Sequence, residues 1–146
     1  ISRSILDKIR TATISRKQPS VDWILQKASV CHRNSSHKKA AAYYKLAADQ
    51  GSTTAKCLLA EAHQSGLGVP KDEKRGFLLY KNAASKDDPT ALACLGDCFL
   101  SGIGVDQDQH KAIDLFRRAA ALGEGNAAYN LGLCYLKGIG VREANS

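Results

Sequence analysis

The sequence holds no methionine, one tryptophan, three prolines and 6% aromatic residues. It also has no run of about 18 apolar residues, so nothing in it is long enough to span a bilayer as a helix. So few prolines leave long stretches free to be helical. With 44% apolar residues among 146, the composition suits one helical domain with a continuous, thin core and requires no second domain. The missing methionine, the start at Ile1 and the stop before the last unit could form its helix B indicate a fragment or processed piece of something longer, so targeting signals can be missing from it. Nucleophile, metalloprotease, dinucleotide and phosphate-loop motifs are all missing, so no residue supports an enzyme and no cofactor is expected.

What the chain does have is a period. GLGV at Gly66 to Val69 returns as GIGV at Gly102 to Val105 and at Gly138 to Val141, a spacing of 36 both times, and self-similarity of this length marks stacked repeats. The same register superposes Ala55, Ala91 and Ala127, then Leu59, Leu95 and Leu131, then Ala60, Gly96 and Gly132, then His63, Phe99 and Tyr135. Beyond each turn it superposes Tyr44, Tyr80 and Phe116, each followed by an alanine pair. Within one unit Ala91, Leu92, Leu95, Gly96 and Phe99 fall on a stripe at steps of three and four, and Ala112, Leu115, Phe116, Ala119 and Ala120 form a second such stripe. Each unit therefore predicts two amphipathic helices, A and B, joined by the glycine turn. Gly102 suits a left-handed cap that ends helix A, Ile103 can fold back onto the pair, and Gly104 relieves another tight site. Asp72 and Asp108 suit the N-caps of helix B. A glycine motif that follows no strand punctuates helices and does not cradle phosphate.

At these residues the chain resembles the Sel-one-like repeat (SLR) family, whose pattern runs Ala, then Leu-Gly, an aromatic, Gly-x-Gly-Val, a capping Asp, Lys-Ala, an aromatic and Ala-Ala. LGDCFLSGIGVDQDQHKAIDLFRRAAALG from Leu95 to Gly123 matches nearly throughout, and the resemblance covers Lys38 to Val141. Gly76 departs from it where Ala112 stands in the next unit, at a cost of about 1 kcal/mol of helix propensity, and Ala144 replaces the last capping Asp. The resemblance implies an all-α fold, a right-handed solenoid of helix-turn-helix repeats related to tetratricopeptide arrays. It also implies an adaptor for other proteins that carries no catalysis of its own.

Residues 1–50 carry ten Lys and Arg against three Asp, whereas residues 51–146 carry eleven of each sign. Arg3, Lys8, Arg10, Arg16 and Lys17 flank Ile1, Ile5, Leu6 and Ile9, a short basic amphipathic helix that Pro19 ends. Three uses compete for it: a solvated cap of the solenoid, contact with nucleic acid or an anionic membrane surface, and the remnant of an organellar presequence, as for the mitochondrion. The reading divides the chain into this segment over 1–18, a degenerate first repeat or cap over 19–51, repeats over 52–87 and 88–123, and a truncated repeat over 124–146. The degenerate unit has Ser20 as its helix cap, Trp23 placed 36 residues before Leu59, and no glycine turn.

The five cysteines lack a paired C-x-x-C spacing, so Cys94, Cys98 and Cys134 make a poor zinc site and no metal is expected. Cys98 and Cys134 are one repeat apart, about 8 to 10 Å between helix axes, and Cys94 and Cys98 are one turn apart, both too wide for a disulfide. Cysteine-rich members of the resembled family staple each unit, but Ala84 and Leu92, and Ala120 and Ala128, stand at those positions here. Thiols with no evident partner favour a reducing compartment such as the cytosol, with the pair Cys31 and Cys57 left open, while the sequon at Asn34, Ser35 and Ser36 points the other way and matters only in the secretory lumen. His32, His37, His63 and His110 show no ligand spacing, and His63 takes the aromatic slot of the core.

Binding remains, and the likeness to tetratricopeptide arrays implies an inner groove lined by helix A residues that face away from the core. Counted from the Leu-Gly pair, these are Thr54, Cys57, Glu61 and Gln64, then Thr90, Ala93, Asp97 and Leu100, then Asn126, Tyr129, Leu133 and Leu136. The lining runs from acidic to apolar, which suits a partner protein or peptide with an apolar anchor and a basic flank. Leu133 and Leu136 equally fit burial under a following repeat. Ala93 and Asp97 stand where a clamp for a C-terminal carboxylate would need a cation and an amide.

Overall fold

The computed structural model describes residues 18–139, and these form seven α-helices with no strand among them. In chain order they are α1 (Val21–Arg33), α2 (His37–Asp49), α3 (Thr53–Ser65), α4 (Glu73–Ala84), α5 (Pro89–Ser101), α6 (Gln109–Ala121) and α7 (Gly125–Lys137). Odd-numbered helices are the A helices and even-numbered ones the B helices. Each helix packs on its chain neighbours, which is the connectivity of a solenoid. The basic segment with Arg3, Lys8, Arg10, Arg16 and Lys17 lies outside the described residues.

Capping chemistry explains where the helices start and stop. Asp72 and Asp108 accept from the backbone N–H of Arg75 and Lys111 at 3.0 and 3.1 Å, and Ser52, Asp88 and Glu124 do the same for α3, α5 and α7. Helices α3, α5 and α7 end on Gly66, Gly102 and Gly138, all in the left-handed region with φ of 70, 71 and 67°.

The second turn glycine does something different. A Cβ at Gly104 would overlap the carbonyl oxygen of Glu73, and one at Gly68 would overlap that of His37. Glu73 and His37 open the preceding B helices, so this glycine is where one repeat's turn lies backbone to backbone on the unit before it. Gly76 also marks a close approach: a Cβ there would sit 2.7 Å from Gln64 Cγ and 2.9 Å from the Ala60 carbonyl oxygen. The departure from alanine thus lets α4 press against α3, which offsets its poor helix propensity.

The main core runs from Cys57 to Cys134 and is built from alanine pairs, Leu92, Leu95, Phe77, Tyr80, Ile113 and Phe116. Two smaller clusters hold α1 and α2. In α1 the buried side chains are Ile24 and Ala28, while Trp23 is 44% exposed and does not take the place of Leu59. The connection from α1 to α2 is only Asn34 to Ser36, against the seven residues between α3 and α4, so the 36-residue register fails there and a different face turns inward.

Candidate partner-binding surface

Helix α3 touches α5 directly as well as through α4, whereas no two B helices among the described residues pack as closely; the A helices are the row that the likeness to tetratricopeptide arrays puts on the inner side. Polar side chains tie the inner row together. Thr53 Oγ1 donates to Asp88 at 2.7 Å, Gln64 Nε2 donates to Cys98 Sγ at 3.2 Å, and Asn130 Nδ2 donates to Asp97 Oδ1 at 3.2 Å.

Of the inner-row residues named from sequence, Thr54, Glu61, Thr90, Asp97, Asn126, Tyr129 and Leu136 are exposed, and Gln64, Leu100 and Leu133 are half-buried. Cys57 and Ala93 are not part of the exposed lining: they are 7% and 6% exposed and belong to the core. Cys57 lies on α3, which packs directly on α5, and Ala93 lies on α5 in the same core cluster. Cys57 belongs to the core cluster against which Cys94 of α5 packs. Tyr129 holds the same register on α7, where no further A helix packs among the described residues, and it is 67% exposed, with Leu136 at 83%.

Electrostatics along this row follow from burial. Desolvation, with the neighbouring Glu124 carboxylate adding to it, raises the Asp97 pKa above the usual carboxylate range. Burial pushes the Cys57 thiol up to about 12, helped by Asp88 and Cys94. Cys94 rises to about 11 by burial, against the lowering effect of a hydrogen bond with the Tyr80 hydroxyl. Protonated thiols are poor nucleophiles and poor metal ligands, so these cysteines act as small apolar side chains. Among the described residues no group of three His, Cys, Asp or Glu side chains is placed to hold a metal, and no helix is long and apolar enough to cross a membrane.

The fold also gathers residues that sequence reasoning kept apart. A cleft of about 310 Å³ between α1, α2 and α3 is lined by His32, Arg33, His37, Tyr44 and Glu61, among others. The two histidine rings meet edge to face at 5.3 Å, and His37 Nδ1 is buried without a hydrogen-bond partner among the described residues. The signal was the short α1–α2 connection, which brings the two histidines together across it. His63, expected in the core, is buried with Nδ1 3.4 Å from the Pro70 carbonyl oxygen.

Comparison with known proteins matches the Sel1 repeat model to residues 33–52, 53–88, 89–124 and 125–145. A search of curated proteins found no match. Among solved structures, a Sel1 repeat protein from Oxalobacter formigenes is 30% identical with a TM-score of 0.78, the match covering 84% of this chain and 52% of that one. A protective antigen with an SLR fold from uropathogenic Escherichia coli is 25% identical, TM-score 0.77, with 88% of this chain and 27% of that one covered. Cysteine-rich protein B from Helicobacter pylori is 26% identical, TM-score 0.59, over 64% of this chain and 70% of its own. The chain thus spans about half or less of the first two relatives. With repeats matched over most of its length, stacked at a 36-residue period in an all-α solenoid, the chain belongs to the Sel1 repeat family.

Proposed function

We propose that the chain binds a partner protein or peptide along its inner row of A helices, without catalysing a reaction. Sel1 repeat proteins are generally protein–protein interaction scaffolds, and the exposed residues of the A helices support that role for this chain. The observation that carries it is the gradient along the row, from the exposed carboxylates Glu61 and Asp97 to the exposed Tyr129 and Leu136. A segment with basic residues at one end and an apolar or aromatic anchor at the other complements that gradient.

A crosslinking pull-down with the full-length protein supplies the partner, and two substitutions then test the surface. Tyr129→Ala should weaken binding by about 2 kcal/mol, the scale of a truncated aromatic hot spot. Asp97→Lys should reverse the local field and act mainly on the association rate. Circular dichroism should show both variants as helical as the parent, since neither side chain is in the core. If neither change weakens binding while neutralising Arg3, Lys8, Arg10, Arg16 and Lys17 abolishes it, the partner is anionic and the basic segment is the working surface. Salt would then collapse the affinity.

A further inference from the structure

We propose a second binding site: a socket between α2 and α4 that takes an aromatic side chain of an acidic peptide segment. The socket is a cleft of about 430 Å³ floored by Ala41, Leu59, His63 and Val69. For scale, a closed apolar cavity of about 150 Å³ already accepts benzene.

The argument comes from the chain's own period. One repeat further on, between α4 and α6, the residues in register with Ala41 and His63 are Phe77 and Phe99. Their rings meet edge to face with centroids 5.5 Å apart and the planes at 90°, and Lys111 lies 5.4 Å from the centre of the Phe99 ring. In the α2–α4 groove the first ring is replaced by a methyl group and the second by an imidazole. No ring stands in the place of Phe77 there, and although Ala41 and His63 are themselves only 2% and 9% exposed, an incoming ring seated over them would have the His63 imidazole as its edge-to-face partner.

The rim decides the charge of the occupant. Lys38, Lys45 and Arg75 border the cleft. Two carboxylates face them: Asp49 pairs with Lys45 at 3.6 Å, and Asp72 is engaged as the cap of α4 through the Arg75 N–H. The excess is cationic, and it sits at an apolar floor, so an aromatic residue with Asp or Glu on either side matches both features. The cleft shares no lining residue with the A-helix surface proposed above, so the two sites can be tested separately.

The test uses a blocked pentapeptide, acetyl-Asp-Glu-Phe-Glu-Asp-amide, titrated into the protein and followed by amide NMR shifts. Saturable binding is expected, with the largest shifts at Ala41, His63 and Val69. Replacing the peptide's Phe by Ala should weaken it about tenfold or more, as truncating a buried anchor does. Ala41→Phe should fill the socket from within and weaken the peptide at least as much. The surface pair Lys38→Glu with Lys45→Glu, which leaves the core untouched, should do so independently of how Ala41→Phe folds. No saturation, equal affinity for the Phe and Ala peptides, or full binding by the charge-reversed variant would each overturn the proposal.

Discussion

The α2–α4 and α4–α6 grooves share a frame and differ in filling. Lys38, Lys45 and Arg75 at the α2–α4 groove recur in register as Lys74, Lys81 and Lys111 at the α4–α6 groove. The turn glycine that lies on the preceding B helix recurs too, as Gly68 and Gly104. What changes is the aromatic pair: Phe77 and Phe99 in one groove, Ala41 and His63 in the other. A repeat can therefore lose its side-chain plug and keep its stacking, because backbone contact through a glycine does not depend on what fills the groove behind it.

The largest expected effect attacks that shared frame. Valine at Gly104 would carry a β-branched side chain at φ 71° and drive it into the Glu73 carbonyl. Strain of about 1 to 3 kcal/mol for the backbone and a similar overpacking term sum to about 4 kcal/mol. Gly68→Val, at φ 82° against His37, should cost the same. Urea unfolding of the two variants tests the comparison, and a Gly68→Val that is much milder than Gly104→Val would show that the two junctions are not stacked alike.

These glycines also show how far the sequence could be read. The 36-residue period, the turn, the Asp caps and the small-residue stripe are local patterns, and each has its counterpart in the helices, down to the left-handed Gly66, Gly102 and Gly138. Their role in stacking was not legible, because the contact is to backbone atoms some 31 residues earlier, from Gly68 to His37 and from Gly104 to Glu73. Cys57 and Ala93 were misjudged for the same reason. Lying off the core stripe of one helix pair predicts exposure, but a solenoid has a second buried direction, toward the next repeat. Trp23 failed differently: the register was carried across a connection four residues shorter than that between α3 and α4.

A smaller effect would make the second groove resemble the first. Phe77→Ala should cost about 3 kcal/mol, the low end for emptying a buried phenyl site, since the groove opens to solvent and can take up water. It should also give the protein a second site for the acidic aromatic pentapeptide, because the cationic rim there is already in place. A doubled binding stoichiometry would confirm that the rings alone distinguish the grooves. Unchanged stoichiometry would mean that the rim at α2–α4 is special in some further way.

Next in size is the contrast between Gly96 and Gly132, which share a register on α5 and α7. A Cβ on Gly96 would sit 2.7 Å from the Phe116 ring, whereas nothing lies within 4 Å of one on Gly132. Gly96→Leu should destabilise by about 1 to 3 kcal/mol through overpacking. Gly132→Ala should instead stabilise by about 0.5 to 1 kcal/mol, the helix propensity that glycine forgoes. Thermal unfolding separates them by sign, and a loss at both would show that α7 is packed on that face as α5 is.

The smallest expected effect is at the end of the B helices, where Gly51 and Gly123 have φ of 96 and 90° and Asp87 holds the register between them with φ 58°. A left-handed non-glycine residue costs about 1 kcal/mol, and Asp87 recovers part of it by accepting from Arg118 Nη2 at 2.9 Å. That pair is well exposed on both sides, so it contributes about 0.5 kcal/mol at most. Asp87→Gly should then stabilise by a few tenths of a kcal/mol, after glycine's added freedom in the unfolded chain is set against the relieved strain. Arg118→Ala should cost about 0.5 kcal/mol alone and nothing on top of Asp87→Gly. A clear loss of stability in Asp87→Gly would place the α4–α5 junction under the control of that ion pair, and of the three inter-repeat turns among the described residues one would then depend on a side chain where the other two rely on glycine.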